Sequence, residues 1–452
     1  MLDTLEIYTD KFIKIMDSSE DILNKESQLQ QLMIEWNNIL FNKAVAKKEK
    51  EFENKLDSSV YKPDKSYERS VQFTFGQMNY HRKSYRKHGT IKYPIDSWFE
   101  LDKYQRYSEK VKFVATKLAG ITTYRNVATV FADLTTLSVS KDSVMRLVKN
   151  FGDNVLETNQ YFKAYPKLIE ESKRKKVPFL FIEGDGIIIT EKSGEKKEIT
   201  CFVIHEGIKI NGNRKETINK KFIVNTAHST SVREAANYVY SNYDMKNTIV
   251  IANSDGGKGF SKRTFQTIAG LCDRVEYFID RYHVSRKLKE RVFIPELIDI
   301  FQAAINEHSL SKIRVALDTL QSNCLSEEQE FHYKKLNAYI KRNWKYLRPL
   351  KDRGIDLKKE GIGIMESQLR SIAFRMKRQG KYWGVGLFGM VKIIENTKNH
   401  TMKAAFLCEW KHDWELANEL DYYVHIQHRA PKVWEKVAYV NRYALNLNYF
   451  IM

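Results

Sequence analysis

The four cysteines, Cys201, Cys272, Cys324 and Cys408, lie far apart and form no Cys-x-x-Cys pair. That scatter excludes a zinc knuckle and a disulfide framework, and it fits a reducing cytoplasm. No uninterrupted apolar run reaches membrane-spanning length, and the first residues, with Asp3, Glu6, Asp10 and Glu20, lack the basic-then-apolar plan of a secretion signal. Internal repeats and low-complexity tracts are absent too. The expectation is a soluble, intracellular protein.

Positive charge is what the sequence has in excess. Lys and Arg number 75 against 56 Asp and Glu, giving +19 and a pI near 9.4, a field that attracts polyanions such as DNA or RNA. Aromatic residues, 12% of the chain, suit base stacking as well as ordinary cores. With 452 residues, 42% of them hydrophobic, the chain has room for two or three folded domains.

Residues 1–60 read as a helical arm for packing or dimerisation, with Ile22, Leu29, Leu32, Trp36 and Leu40 at helical intervals. Residues 61–107 read as a basic β-hairpin and linker. Val71, Phe73 and Phe75 alternate there, and after Gly76 come Arg82, Lys83, Arg86, Lys87 and Lys92 among Tyr80, Tyr85 and Tyr93. Such a face grips a phosphate backbone or simply meets solvent. Residues 108–172 carry three helical patterns, of which the last two resemble a helix-turn-helix. Ser140 would cap the final helix and leave Lys141, Met145, Arg146 and Lys149 outward, where a recognition helix meets DNA; a plain helical bundle shows the same periodicity.

Beyond the basic linker Lys173 to Lys176, residues 173–290 alternate between strand and helix signals. Strands are expected over Val177–Thr190, Ile199–Ile210 and Lys221–Val224, with turns at Ser193-Gly194 and Asn211-Gly212, then helix, strand, helix, strand and helix. This order is that of a ribonuclease H-like core. Residues 291–360, including Trp344, read as a helical insertion, and 361–400 resume the core with Met365, Leu369, Ile372, Ala373 and Met376 on one helical face. Residues 401–452 read as a helical, aromatic-rich end carrying Trp410, Trp414, Tyr422, Tyr423 and Trp434. The fold class expected is therefore α/β: a ribonuclease H-like mixed-sheet core with a helical insertion, behind a mainly helical N-terminal DNA-binding region.

Candidate chemistry collects on acidic and imidazole residues. Asp185 and Asp255 sit where apolar runs are expected to end in glycine turns at a sheet rim, Asp280 and His283 follow another apolar run, and Glu366 opens the helix of residues 365–376. Hard oxygen donors at a rim suit Mg²⁺, with Mn²⁺ as substitute, and phosphodiester transfer uses two such cations about 3.5–4 Å apart. Arg370 and Lys377, flanked by Arg375 and Arg378, put positive charge on nearly the face of Glu366, where phosphates would dock. Each residue also has a plainer explanation. Asp185-Gly186 and the Asp255 loop could be turns, Lys258 a solvated charge, Asp280 a helix cap and His283 a surface histidine. Glu183 is the nearest rival ligand, Trp344 a base-stacking or a packing residue, and His425, His428, His81 and His88 lack metal-binding companions.

Taken in order, Asp185-Gly186, Ser254-Asp255-Gly256-Gly257-Lys258-Gly259-Phe260, Asp280-x-x-His283 and Glu366 with Leu369, Arg370, Arg375 and Gly380 resemble the DDE transposases of bacterial Mutator-related insertion sequences. The whole chain looks like a subgroup long catalogued as uncharacterised proteins. The resemblance implies Asp185, Asp255 and Glu366 as the metal-binding triad and Asp280 and His283 as an accessory motif. Many members carry Cys where this chain has Asp280, and the Asn that often precedes their final Glu is not evident here. It also implies binding of terminal inverted repeats in double-stranded DNA, strand cleavage and transfer, and at least a homodimer to bring two ends together. The rival expectations are a structure-specific nuclease of the same fold and a catalytically silent DNA-binding descendant.

Overall fold

The computed structural model describes residues 2–56, 61–87, 89–164, 173–212, 214–355, 362–379 and 382–408. His88, Gly361, Gly380 and the aromatic and histidine residues noted after position 408 fall outside them. The N-terminal arm is α1 (Leu2–Met16) and α2 (Ile22–Lys55), the latter started by Asp21, whose carboxylate accepts from the amides of Leu23 and Asn24 at 3.0 Å. It lies on an antiparallel sheet of β1 (Lys62–Phe73), β2 (Gly76–Lys87) and β3 (Thr90–Lys92). Asn38 and Asn42 donate to the Gln77 and Asn79 carbonyls at 2.9 Å, and Phe41 packs on Phe73, Tyr80 and Phe99. Much of α2 is thus a packing element, and the hairpin begins at Lys62, earlier than the alternation from Ser70 indicates. The short α3 (Pro94–Trp98) follows.

Three helices come next, α4 (Glu109–Ala119), α5 (Tyr124–Leu134) and α6 (Lys141–Ala164), as their periodicity predicts. Ser108, Thr123 and Ser140 accept from the amides of Val111, Asn126 and Ser143, so each start has its own hydroxyl cap. The strand-rich region runs β4 (Lys175–Lys176), β5 (Phe179–Glu191), β6 (Lys196–His205), β7 (Ile208–Asn211), β8 (Arg214–Thr217), β9 (Lys221–Asn225), α7 (His228–Asn242), β10 (Tyr243–Asp244), β11 (Ile249–Ser254), α8 (Lys262–Ala269), β12 (Arg274–Ile279) and α9 (Arg281–Arg291). The expected strand Ile199–Ile210 is two, because Gly207 at φ 118° breaks it; β7 then pairs with β8 as a separate hairpin.

The main sheet has the order β12-β11-β5-β6-β9, in which β12, β11 and β5 are parallel and β5, β6 and β9 antiparallel. Alternation assigns its faces. Leu180, Ile182, Phe202 and Ile204 point into one core with α7, α8 and α9 and with the insertion helices α10 (Pro295–Asn306), α11 (Leu310–Ser322) and α12 (Glu327–Asn343). The insertion extends that core and does not form one of its own. Ile187, Ile189, Ile199 and Cys201 point the other way, onto α13 (Met365–Ala373) and α14 (Leu387–Lys398) and onto the helices α4 to α6. A wide π turn (Phe374–Arg378) and β13 (Tyr382–Trp383), which pairs with β5, separate α13 from α14; α15 (Met402–Leu407) ends the described chain. Among the described residues no helix is long and apolar enough to cross a membrane.

Candidate active site

Sheet register creates the site. Ser254 of β11 pairs with Gly184 of β5 on one side and with Ile279 of β12 on the other, and the next residue of each strand is acidic: Asp185, Asp255 and Asp280. Three aspartates therefore stand in a row across neighbouring strands, roughly 4.8 Å apart in the sheet direction. Two of those strands stop there, and the carboxyl end of parallel strands is where α/β sheets open to ligands. Asp185 differs from expectation. Gly186 makes no turn; β5 continues to Glu191, hydrogen-bonded to β6, so Asp185 lies mid-strand and is uncovered because β11 ends beside it. A Cβ at 186 would meet the Glu198 carboxylate, the exposed end of a flexible side chain that would have to swing aside.

Local hydrogen bonds aim these groups. The Gly186 amide donates to Asp185 Oδ1 at 2.7 Å, and Gly257 donates to Asp255 Oδ1 at 2.7 Å after a left-handed turn at Gly256, φ 76°. Asp280 caps α9, accepting from the Tyr282 amide at 2.8 Å, which sets His283 on the first turn with Nε2 3.8 Å from Asp185 Oδ2. Glu366, on the first turn of α13, lines the same cleft of about 1010 Å³ as Asp185, Asp255 and His283. Arg286, Lys287, Arg370, Lys377 and Arg378 form its basic wall. Arg286 and Lys287 drew no notice in the sequence, although they follow His283 at i+3 and i+4, the spacing of one helical face.

Burial pushes the Asp185 carboxyl up to about 6; the neighbouring Asp255 and Asp280 add to this, and the Gly186 amide and His283 oppose it. Asp280 is raised for the same first reason, with Glu183 and Glu366 contributing. Excess negative charge at the floor beneath a basic wall is what a divalent cation and a polyanion would jointly neutralise. Among the described residues no three His, Cys, Asp or Glu side chains already close on one point. The donor set still fits Mg²⁺ or Mn²⁺: all are hard oxygens, and such ions bind through one or two carboxylates while keeping waters. Asp185, Asp255 and Glu366 are the residues that could hold them.

Other sequence candidates divide by environment. Lys141, Arg146 and Lys149 are exposed on α6, and Lys258 is exposed in the glycine loop after Asp255. Lys83 is part-exposed and Arg86 exposed, but they pair with Glu53 at 2.6 Å and Asp64 at 3.3 Å. Three residues are turned inward. Arg82 binds Asp96, which it shares with Arg69, and lies 3.9 Å from the Tyr93 ring. Arg375 is buried, donating to the Ala119 carbonyl at 2.7 Å between the Tyr124 and Trp383 rings. Trp344 stacks on His308 at 4.4 Å and packs against the core that the sheet and the insertion helices share. Arg82 and Arg375 are thus held by partners inside the protein, and Trp344 is part-buried with one face of its ring taken by His308. Glu183, the rival ligand, is fully buried on the face of Asp185 and does not enter the cleft.

Fold and site define a mixed α/β protein with a carboxylate floor and a cationic wall. The chain belongs to the uncharacterised protein family UPF0236, whose model matches residues 18–412. It is similar to the "UPF0236 protein in vanSb 3'region" of Streptococcus gallolyticus, at 30% identity over 383 residues covering 82% of this chain and 81% of that one. A solved structure titled "Crystal structure of NurA with manganese" shares 12% identity over 59% of this chain and 66% of that chain at a TM-score of 0.09, a likeness too slight to carry a fold inference.

Proposed function

We propose that this protein is a Mg²⁺-dependent DNA transposase acting in the cytoplasm on double-stranded DNA, cutting at the terminal inverted repeats of its element and joining the freed ends to a target. The observation that carries this is the meeting of Asp185, Asp255 and Glu366, from a mid-sheet strand, a strand end and a distant helix, in one basic-walled cleft. Supporting the ribonuclease H-like reading, β5 stands at the centre with antiparallel β6 and β9 to one side and parallel β11 and β12 to the other. Asp185 thus lies on the first core strand, and Asp255 follows the fourth.

When bound, Mg²⁺ supplies activation of the attacking oxygen and stabilisation of the leaving one. The chain's own residues do the rest. Asp185 and Asp255, fixed by the Gly186 and Gly257 amides, and Glu366 from α13 would hold the ions through their oxygens. His283 lies beside Asp185, where it is placed to hold or release a proton. Arg286, Lys287, Arg370 and Lys377 neutralise and orient the phosphates; the exposed face of α6 contacts DNA away from the cut, and a dimer holds two ends together.

The test is incubation of the purified protein with Mg²⁺ and duplex DNA carrying the element's ends. Cleavage and end joining are expected; replacing Asp185, Asp255 or Glu366 with Ala lowers cleavage by roughly 1000-fold, the several kcal/mol a metal ion contributes, and spares DNA binding. Cleavage persisting in all three variants refutes the assignment. Cleavage without joining selects a nuclease, and binding without cleavage a silent descendant.

A further inference from the structure

Glu183 lies two residues before Asp185 on the same face of β5, with 1% of its surface exposed. Its carboxylate is spent on a helix that arrives from far along the chain. Oε1 accepts from the amides of Gly363 at 3.0 Å and Ile364 at 3.2 Å, and Oε2 from Gly363 at 3.1 Å and Met365 at 3.2 Å. These amides open α13, which has no side-chain cap of its own, and the next residue is Glu366. The first amides of a helix have no partner within it and carry its positive dipole end, so a buried carboxylate is a strong anchor there. On its other side Glu183 is closed in by His205, whose Nε2 lies 3.6 Å from Oε1 and whose ring stacks on Phe181 at 4.9 Å.

We infer that Glu183 is a positioning residue: it ties the helix bearing Glu366 to the strand bearing Asp185, so that one strand sets both walls of the cleft. This role rests on the proposed metal-dependent reaction. It also accounts for an acidic residue buried two positions from Asp185 without itself being a ligand. A change at Glu183 would move Glu366 relative to Asp185 without removing any of the exposed α6 side chains proposed to contact DNA.

Glu183→Gln tests this, since it keeps the size and places an amide group against donors. Three readouts are taken: hydrogen exchange at Gly363, Ile364 and Met365 without metal, Mn²⁺ affinity by electron paramagnetic resonance, and cleavage with Mg²⁺. Exchange at those amides is expected to quicken, and Mn²⁺ affinity and cleavage to fall about 10- to 100-fold, the range for residues that orient ligands, while the DNA dissociation constant stays within about twofold. Glu183→Asp, which keeps the charge, is expected to recover part of both losses. Quickened exchange with unchanged Mn²⁺ affinity makes Glu183 merely structural and overturns the inference, as does unchanged exchange. If wild-type protein binds Mn²⁺ through Asp185 yet cleaves nothing, the transposase reading fails and the positioning claim is still decided by exchange and affinity. Should Glu183→Gln not fold, Ile364→Pro, at a residue with φ −86°, deletes one donor; exchange is then read at Gly363 and Met365, with the Mn²⁺ and cleavage readouts unchanged.

Discussion

Asp185 occupies the middle of β5, largely buried, with two further aspartates just past the ends of β11, its neighbour, and β12, the next strand over. Its raised carboxyl has a consequence for stability that is separate from any reaction. A folded-state value of about 6 lies above the ordinary value of 3.8, so its contribution is fully present below about pH 4 and is lost as pH rises through 6. In a metal-free buffer, Asp185→Asn removes that penalty. Its melting temperature relative to wild type is expected to climb between pH 4 and pH 7 and then level off, measured by calorimetry; parallel curves would show that the carboxyl is not strained. Asp185, Asp255 and Glu366 were legible in the sequence because motifs travel with their neighbours. Glu183 and Arg375 were not: their partners, Gly363 to Met365 and Ala119, become neighbours only after folding.

At the scale of elements, α13 and its π turn separate charges that the sequence groups together. Arg370 and Lys377 reach the cleft, whereas Arg375 faces inward and fastens the turn to α4. Arg375→Ala is therefore expected to cost about 2 kcal/mol in denaturant unfolding, the scale of a hydrogen bond to a charged group, without changing the salt dependence of DNA binding. Lys377→Ala should do the reverse, lowering the slope of log affinity against log salt by about 1 and shifting stability by less than about 0.5 kcal/mol. Equal behaviour of the two variants would contradict this division. Strand and helix order was readable from apolar periodicity and from turn residues such as Asn211-Gly212. The break was signalled only by a single glycine, Gly207, inside an apolar run, and the π turn by nothing in the composition, since it depends on how Arg375 is seated.

Over the whole molecule, the sequence suggested separable regions that the structure joins. The helices α4 to α6 share one apolar core with the sheet, α13 and α14, through Val111, Val148, Ile187, Leu369 and Met390 among others. The helices α6 and α14 approach closely: a Cβ on Gly389 would overlap the Val148 carbonyl and one on Gly152 would lie 2.9 Å from the Gly389 backbone. Gly389→Ala is expected to destabilise by about 3 kcal/mol, and the N-terminal helices and the sheet should unfold together when followed by hydrogen exchange. Independent loss of α4 to α6 would refute the shared core. The same union joins α6 to the strands and helix that line the cleft through one apolar core.

The proposed reaction stands on one claim, that carboxyl groups from β5, from the end of β11 and from α13 act on a common divalent cation. Mn²⁺ titration followed by electron paramagnetic resonance tests it without any DNA substrate. Wild-type protein is expected to bind the ion, and Asp185→Asn, Asp255→Asn and Glu366→Gln each to weaken binding by about tenfold or more. Identical affinity in wild type and all three variants would contradict the account.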